Sequence, residues 1–233
     1  MEKSELNKWQ DVCSAAAETM TYLRKLVKPE MPIVEIAEKF EDRIEKKGFV
    51  SSFPISLSVG NTVAHYTPSY KDPIKAEGLV KIDMGLAKDG YLSDTASSID
   101  LTPENRFKDI MKAGEESLKA GIKSFKFGTE FGEVGRAIEE EITKHGFVSI
   151  KNLSGHNIKK WHLHAGMIVP NYNNNDKTKI SEGIYAIEPF ATTGEPRVVN
   201  GKESNIWIIR QNKPTRTGRE VLQFIEKEFK TLP

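Results

Sequence analysis

Two aspartates and a group of histidines are the residues whose types and spacing could do chemistry. Asp83 and Asp94 flank a Lys88-Asp89-Gly90 turn signal, so that in a hairpin they would lie roughly across from each other and share a face. Two ionised carboxylates about 5 Å apart repel by roughly 3 kcal/mol at an effective dielectric near ~20. A fold that keeps such a pair needs a cation or a shared proton, unless both aspartates are simply solvated on an exposed face. Of the five histidines, His65 sits in Ala64-His-Tyr-Thr-Pro68, while His156, His162 and His164 fall within Gly155 to Gly166. Carboxylates with few histidines and no thiolate partners suit Mn, Co, Fe or Zn in a hydrolytic site better than a structural zinc. Two such ions a few ångströms apart can activate water and polarise a carbonyl. No Gly-x-Ser-x-Gly elbow, phosphate loop or dinucleotide fingerprint offers another chemistry.

The elements that must position these groups are legible as patterns. Leu6, Trp9, Val12, Cys13, Ala16, Met20 and Leu23 form one apolar stripe on a helix from about Glu5 to Val27, which makes Cys13 a buried structural thiol. Pro32 suits the first turn of a second helix, with Ile36, Phe40 and Ile44 inward and Gly48 as its stop. Glu77 to Leu101 reads as a hairpin in which Val80, Ile82 and Met84 alternate with polar residues. Thr102-Pro103 predicts an N-cap opening a helix to about Lys126, and a further helix covers about Glu130 to His145. His145 then suits the helix dipole rather than catalysis. A strand-rich stretch to about Arg210 follows, placing His162 and His164 on one strand face with His162 structural. A last helix, about Gly218 to Phe229, carries Val221, Phe224, Ile225 and Phe229 on one side.

An internal echo organises the chain. Glu41-Asp-Arg-Ile-Glu-Lys-Lys-Gly-Phe-Val-Ser51 matches Glu139-Glu-Glu-Ile-Thr-Lys-His-Gly-Phe-Val-Ser149, and Glu77-Gly-Leu-Val-Lys-Ile-Asp83 matches Glu182-Gly-Ile-Tyr-Ala-Ile-Glu188. His65 falls almost on His164 by the same offset. Two repeats are too few for a solenoid, and a pseudo-twofold domain that brings Asp83 and Glu188 toward one axis is expected. Lys+Arg 34 against Asp+Glu 33 gives no electrostatic reason for nucleic acid or membrane binding. A single cysteine excludes an intrachain disulfide, and with no apolar run long enough to span a bilayer the expected location is the cytoplasm.

Phe53-Pro54, Ala64-His-Tyr-Thr-Pro68, Lys81-Ile-Asp-Met-Gly85, Asp94-Thr-Ala96, Asn152-Leu-Ser-Gly-His156, Leu163-His-Ala-Gly166 and Ala186-Ile-Glu-Pro-Phe-Ala-Thr-Thr-Gly194 follow in order. This series resembles the signatures of type-2 methionine aminopeptidases, the archaeal and eukaryotic kind. The resemblance implies an α+β pita-bread fold with two related halves and two divalent metal ions. It implies that Asp83 ligates one metal, Asp94 bridges both, and His156 and Glu188 hold the other, with Glu188 also moving the proton of the attacking water. His164 and His65 would touch the scissile peptide, and Phe53 would wall the methionine pocket. The implied reaction is removal of initiator methionine from nascent polypeptide N-termini when the next residue is small, with the ribosome as a further partner.

One departure concerns the C-terminus. Residues 1–212 match the pita-bread domain and 213–233 resemble the start of the helical insert found in type-2 enzymes, after which a strand carries a bridging glutamate. The expectation is a chain that stops before that ligand, binds the Asp83–Asp94 metal weakly and has low activity. Glu195 and Glu203 are the nearby acids and read as surface loop residues. Two rivals share the fold: a non-catalytic protein of the proliferation-associated kind acting on ribosome or RNA, and a proline-specific peptidase. The first loses metal ligands by substitution, whereas the ligand positions present here are intact. The second usually carries a further N-terminal domain.

Overall fold

A computed structural model describes residues 1–209 and 218–233 of the chain. Helix α1 (Lys3–Leu26) buries Trp9, Val12, Ala16, Thr19, Met20 and Leu23 along one stripe. Cys13 is exposed, against expectation. One residue turns an α-helix by about 100°, and the step past Val12 carries Cys13 off the packed face, while Thr19 enters the stripe by bonding its hydroxyl to the Ala15 carbonyl. Neighbouring atoms still desolvate the thiol enough to raise its pKa. Helix α2 (Ile33–Lys46) follows Pro32 and buries Ile33, Ile36, Phe40 and Ile44.

Both helices cover one face of an antiparallel sheet made of β1 (Val50–Val59), β2 (Leu79–Lys88), β3 (Tyr91–Leu92) and β4 (Thr95–Asp100). β2 is central, with β1 on one side and β3 and β4 on the other. Val80, Ile82 and Met84 point into the helices and are fully buried. The turn is the two-residue Asp89-Gly90, both at positive φ (54° and 85°), because Lys88 already pairs with Tyr91. β1 changes register against β2 between Ser51 and Phe53 and again between Phe53 and Ser56. Pro54, which has no N–H to donate, falls inside this irregular stretch.

After β4 the chain does not enter a helix at Thr102. The Thr102 hydroxyl donates to Asp100 and accepts from the Arg106 N–H, and Asn105 then takes a positive φ of 51°, which closes the turn. Helix α3 (Lys108–Ser124) starts only beyond Phe107, whose N–H donates to Asp100. Helix α4 (Phe131–Lys144) packs Phe131, Val134, Ile138 and Ile142 with Val169 and Ile180 into a second core.

The strands that follow are short: β5 (Val148–Ser149), β6 (Ser154–Ile158), β7 (Ile168–Pro170), β8 (Ile184–Ala186) and β9 (Ala191–Thr192). β6 lies between β7 and β8, and β5 pairs β9. No strand lies in 193–209, so the strand-rich stretch ends earlier than its apolar residues suggest. Helix α5 (Arg219–Glu228) has no buried residue; Val221, Phe224 and Phe229 are exposed, and Leu232 beyond it joins the first core. The expected domain boundary at 212/213 lies outside the described residues. Each half runs helix, helix, strand, in the order of the sequence echo.

Gly90 fixes the second half against the first. A Cβ there would lie 2.3 Å from the Trp161 indole nitrogen, and the Trp161 backbone N–H donates to the Gly90 carbonyl at 2.9 Å. Gly90→Ala combines a disfavoured φ with this contact and is expected to cost about 2 kcal/mol, read as a lower urea midpoint at unchanged slope.

Candidate metal centre

Asp83 and Asp94 reach the site from the central hairpin. Asp83 pairs with Ala96 rather than with Asp94, so the two aspartates are diagonal neighbours on one face rather than directly opposed. Their face is the one turned away from the helices. His156 arrives on β6, opposite Ile168 on one side and Ala186 on the other. Gly155 makes this approach possible: a Cβ there would lie 2.2 Å from the Ala186 carbonyl oxygen. Glu188 follows Ala186 by two residues and so projects beside His156.

The ligand atoms of Asp94, His156 and Glu188 all lie within 4.8 Å of one another. His156 Nε2 is 3.2 Å from Asp94 Oδ2 and 3.2 Å from Glu188 Oε1. Burial alone would lower the His156 pKa, but the two carboxylates outweigh it and push it up to about 10. Asp83 is raised well above the carboxylate range, first by burial and then by Asp94 and Glu188. Glu188 is raised by burial, with Asp94 adding and His156 opposing.

Two buried oxygens in this cluster, Asp83 Oδ1 and Glu188 Oε1, accept no hydrogen bond. For Glu188 Oε1 the contact with His156 is close enough for charge attraction but lacks hydrogen-bond direction. A buried acceptor left without a partner costs about 1–3 kcal/mol. Three carboxylates and one imidazole therefore present more lone pairs than protons, and a divalent cation fits this donor set.

The remaining site residues surround the cluster. A loop after β6 turns at Lys159 and His162 and returns where the Ala165 N–H donates to the Asn157 carbonyl and the Met167 N–H to Asn157 Oδ1. That return brings His164 against His156, with ring centroids 4.1 Å apart and planes tilted by 50°. His162 and His164 are thus loop residues, not neighbours on a strand. His164 is an exposed residue, yet the protein partly desolvates its imidazole and lowers its pKa, and His156 acts in the same direction. His65, at φ 61°, comes close enough to act electrostatically on both His164 and Glu188. Phe53 is buried in the irregular part of β1. His145 caps α4 near Glu141, and Glu195 and Glu203 are exposed. Residues that sequence reasoning missed are Gly155 and Asn157, which bring His156 and His164 into place; only the glycine beside a histidine signalled them.

This fold and cluster define a metallopeptidase. The sequence pattern of metallopeptidase family M24 matches residues 7–226, and the chain belongs to that family. It is similar to methionine aminopeptidases from Pyrococcus abyssi (43% identical; 90% of this chain and 72% of that protein) and Saccharolobus solfataricus (36% identical; 100% and 79%). Among solved structures, the methionine aminopeptidase of Thermotoga maritima matches with a TM-score of 0.78 at 24% identity, covering 88% of this chain and 87% of that one, and so shares the pita-bread fold.

A pH dependence follows. The raised pKa of His156 contributes stability that is fully present below about 6.5 and is lost as pH rises toward about 10. Asp83 and Glu188, also raised, lose theirs in the same direction from a lower starting point. Metal-free protein is expected to unfold in progressively less urea across that window, and His156→Gln to flatten the trend.

Proposed function

We propose that the chain is a metal-dependent methionine aminopeptidase that releases an N-terminal methionine when the following residue is small. The single observation carrying this reading is the convergence of Asp94, His156 and Glu188 within 4.8 Å, beside a half-buried Asp83, in a chain 43% identical to a methionine aminopeptidase. Asp83, Asp94, His156 and Glu188 would hold two divalent ions drawn from Co, Mn, Fe and Zn. When bound, the ions supply Lewis acidity toward a carbonyl oxygen and toward water.

The chain's own groups do the rest. Glu188, held above the usual carboxylate range by burial, accepts a proton from water and returns it to the leaving amine. His164, held neutral by its lowered pKa, donates an N–H to the oxyanion that develops on the scissile carbonyl, and His65 faces the same point. Phe53 forms the wall against which the methionine side chain packs. The substrates are N-termini of nascent polypeptides, which places the protein in the cytoplasm and near the ribosome. Among the described residues no helix is long and apolar enough to cross a membrane. The binding-protein alternative draws no support from the four ligand positions present, Asp83, Asp94, His156 and Glu188, each of which retains its donor atoms.

With Mn²⁺ added, the protein is expected to release methionine from Met-Ala-Ser and to leave Met-Glu-Ser uncut. Asp94→Asn should lower kcat/KM at least about 100-fold, since it removes a ligand rather than an outer partner, as followed by free methionine. Equal cleavage of both peptides, or an active Asp94→Asn, would overturn the assignment.

A further inference from the structure

Ser52 hydrogen-bonds across a strand. Its hydroxyl donates to the Ser93 carbonyl at 2.9 Å, yet Ser52 lies on β1 and Ser93 lies on the far side of β2. Strands two apart in a sheet are about 10 Å from each other, and a serine reaches across only where the middle strand presents no side chain. Gly85 supplies that gap. A Cβ at Gly85 would sit 2.0 Å from Ser52 Oγ, 2.2 Å from the Ser93 oxygen and 2.7 Å from Phe53 Cε1. Ser52 is at the first register shift of β1, free of the regular pairing, and is 0% exposed. Ser93 is 3% exposed and locked to β2, its N–H donating to the Leu86 carbonyl and its hydroxyl accepting from the Leu86 N–H.

Gly85 is two residues from Asp83 on the same strand face, so the bond lies on the floor of the metal centre. The Ser93 carbonyl shares a rigid peptide plane with the Asp94 N–H; pinning that oxygen fixes the backbone from which the Asp94 carboxylate projects. Ser52, at the other end, immediately precedes Phe53.

We propose that the Ser52–Gly85–Ser93 crossing positions Asp94 and Phe53 as a unit, so that the metal ligand and the wall of the methionine pocket keep one relative placement. The proposal rests on the aminopeptidase reading of the site. Ser52 and Ser93 are positioning residues: their hydroxyls bond to backbone groups, Ser52 to the Ser93 carbonyl and Ser93 to Leu86.

Calorimetric titration of the full chain with Mn²⁺, and then with methionine at saturating Mn²⁺, tests it. Ser52→Ala is expected to weaken both dissociation constants about five- to tenfold, the loss of one buried hydrogen bond, with the weaker donor of Ser52→Cys falling between. Ser117→Ala, which removes a buried hydroxyl in α3 bonded to Gly114, controls for plain destabilisation and should lower Tm without moving either constant. If Ser52→Ala does not fold, Ser52→Cys carries the same comparison. Unchanged constants in a folded Ser52 variant with reduced Tm, or a change in one constant alone, overturn the proposal. Wild-type protein that binds neither Mn²⁺ nor methionine overturns the aminopeptidase reading itself.

Discussion

Three carboxylates gathered around one imidazole set the constraint on which this structure depends. Asp83, Asp94 and Glu188 repel one another in a place where water is largely excluded; His156 is the cationic group that touches two of them, and His65 acts on Glu188 from further off. The His156 proton answers two of the three charges, at 3.2 Å each, and leaves buried lone pairs without donors. Such an arrangement is a poor way to stabilise a fold and a good way to bind a cation. The apolar work is done elsewhere, by two separate cores, one between α1, α2 and the first sheet and the other around α4.

Rigid scaffolding is what makes the repulsive cluster tolerable. Each of the four candidate ligands sits on a strand or within two residues of one, and glycines at three points admit a close neighbour. Gly85 admits Ser52, Gly90 admits Trp161, and Gly155 admits the backbone of Ala186. In all three the close approach involves a segment that carries a site residue. The spacing of the site is thus determined by where side chains are missing as much as by where they are present.

Much of this was legible in the residues themselves. The Asp-Gly turn and the alternation of Val80, Ile82 and Met84 place Asp83 and Asp94 on one face, and the echo between the halves points to Glu188 and to a second histidine. What escaped had tertiary causes. Cys13 satisfies a helical period yet misses the packed face. Thr102-Pro103 has the chemistry of a cap, but Asp100 and the left-handed Asn105 turn it into a separate loop. β5 and β9 are two residues long and exist only because they pair with each other across the second half. The Ser52–Ser93 bond joins strands that are not adjacent, a relation no local pattern encodes.

The four candidate ligands are also unequally separated along the chain. Asp83 and Asp94 are joined by a two-residue turn, a contact whose loop closes early and at little entropic cost. His156 lies 62 residues beyond Asp94, and Glu188 comes later still. The hairpin by itself thus brings the two aspartates together without their counter-charge, which the second half supplies. A divalent cation would neutralise the same pair, which ties metal binding to the stability of the fold as well as to its chemistry.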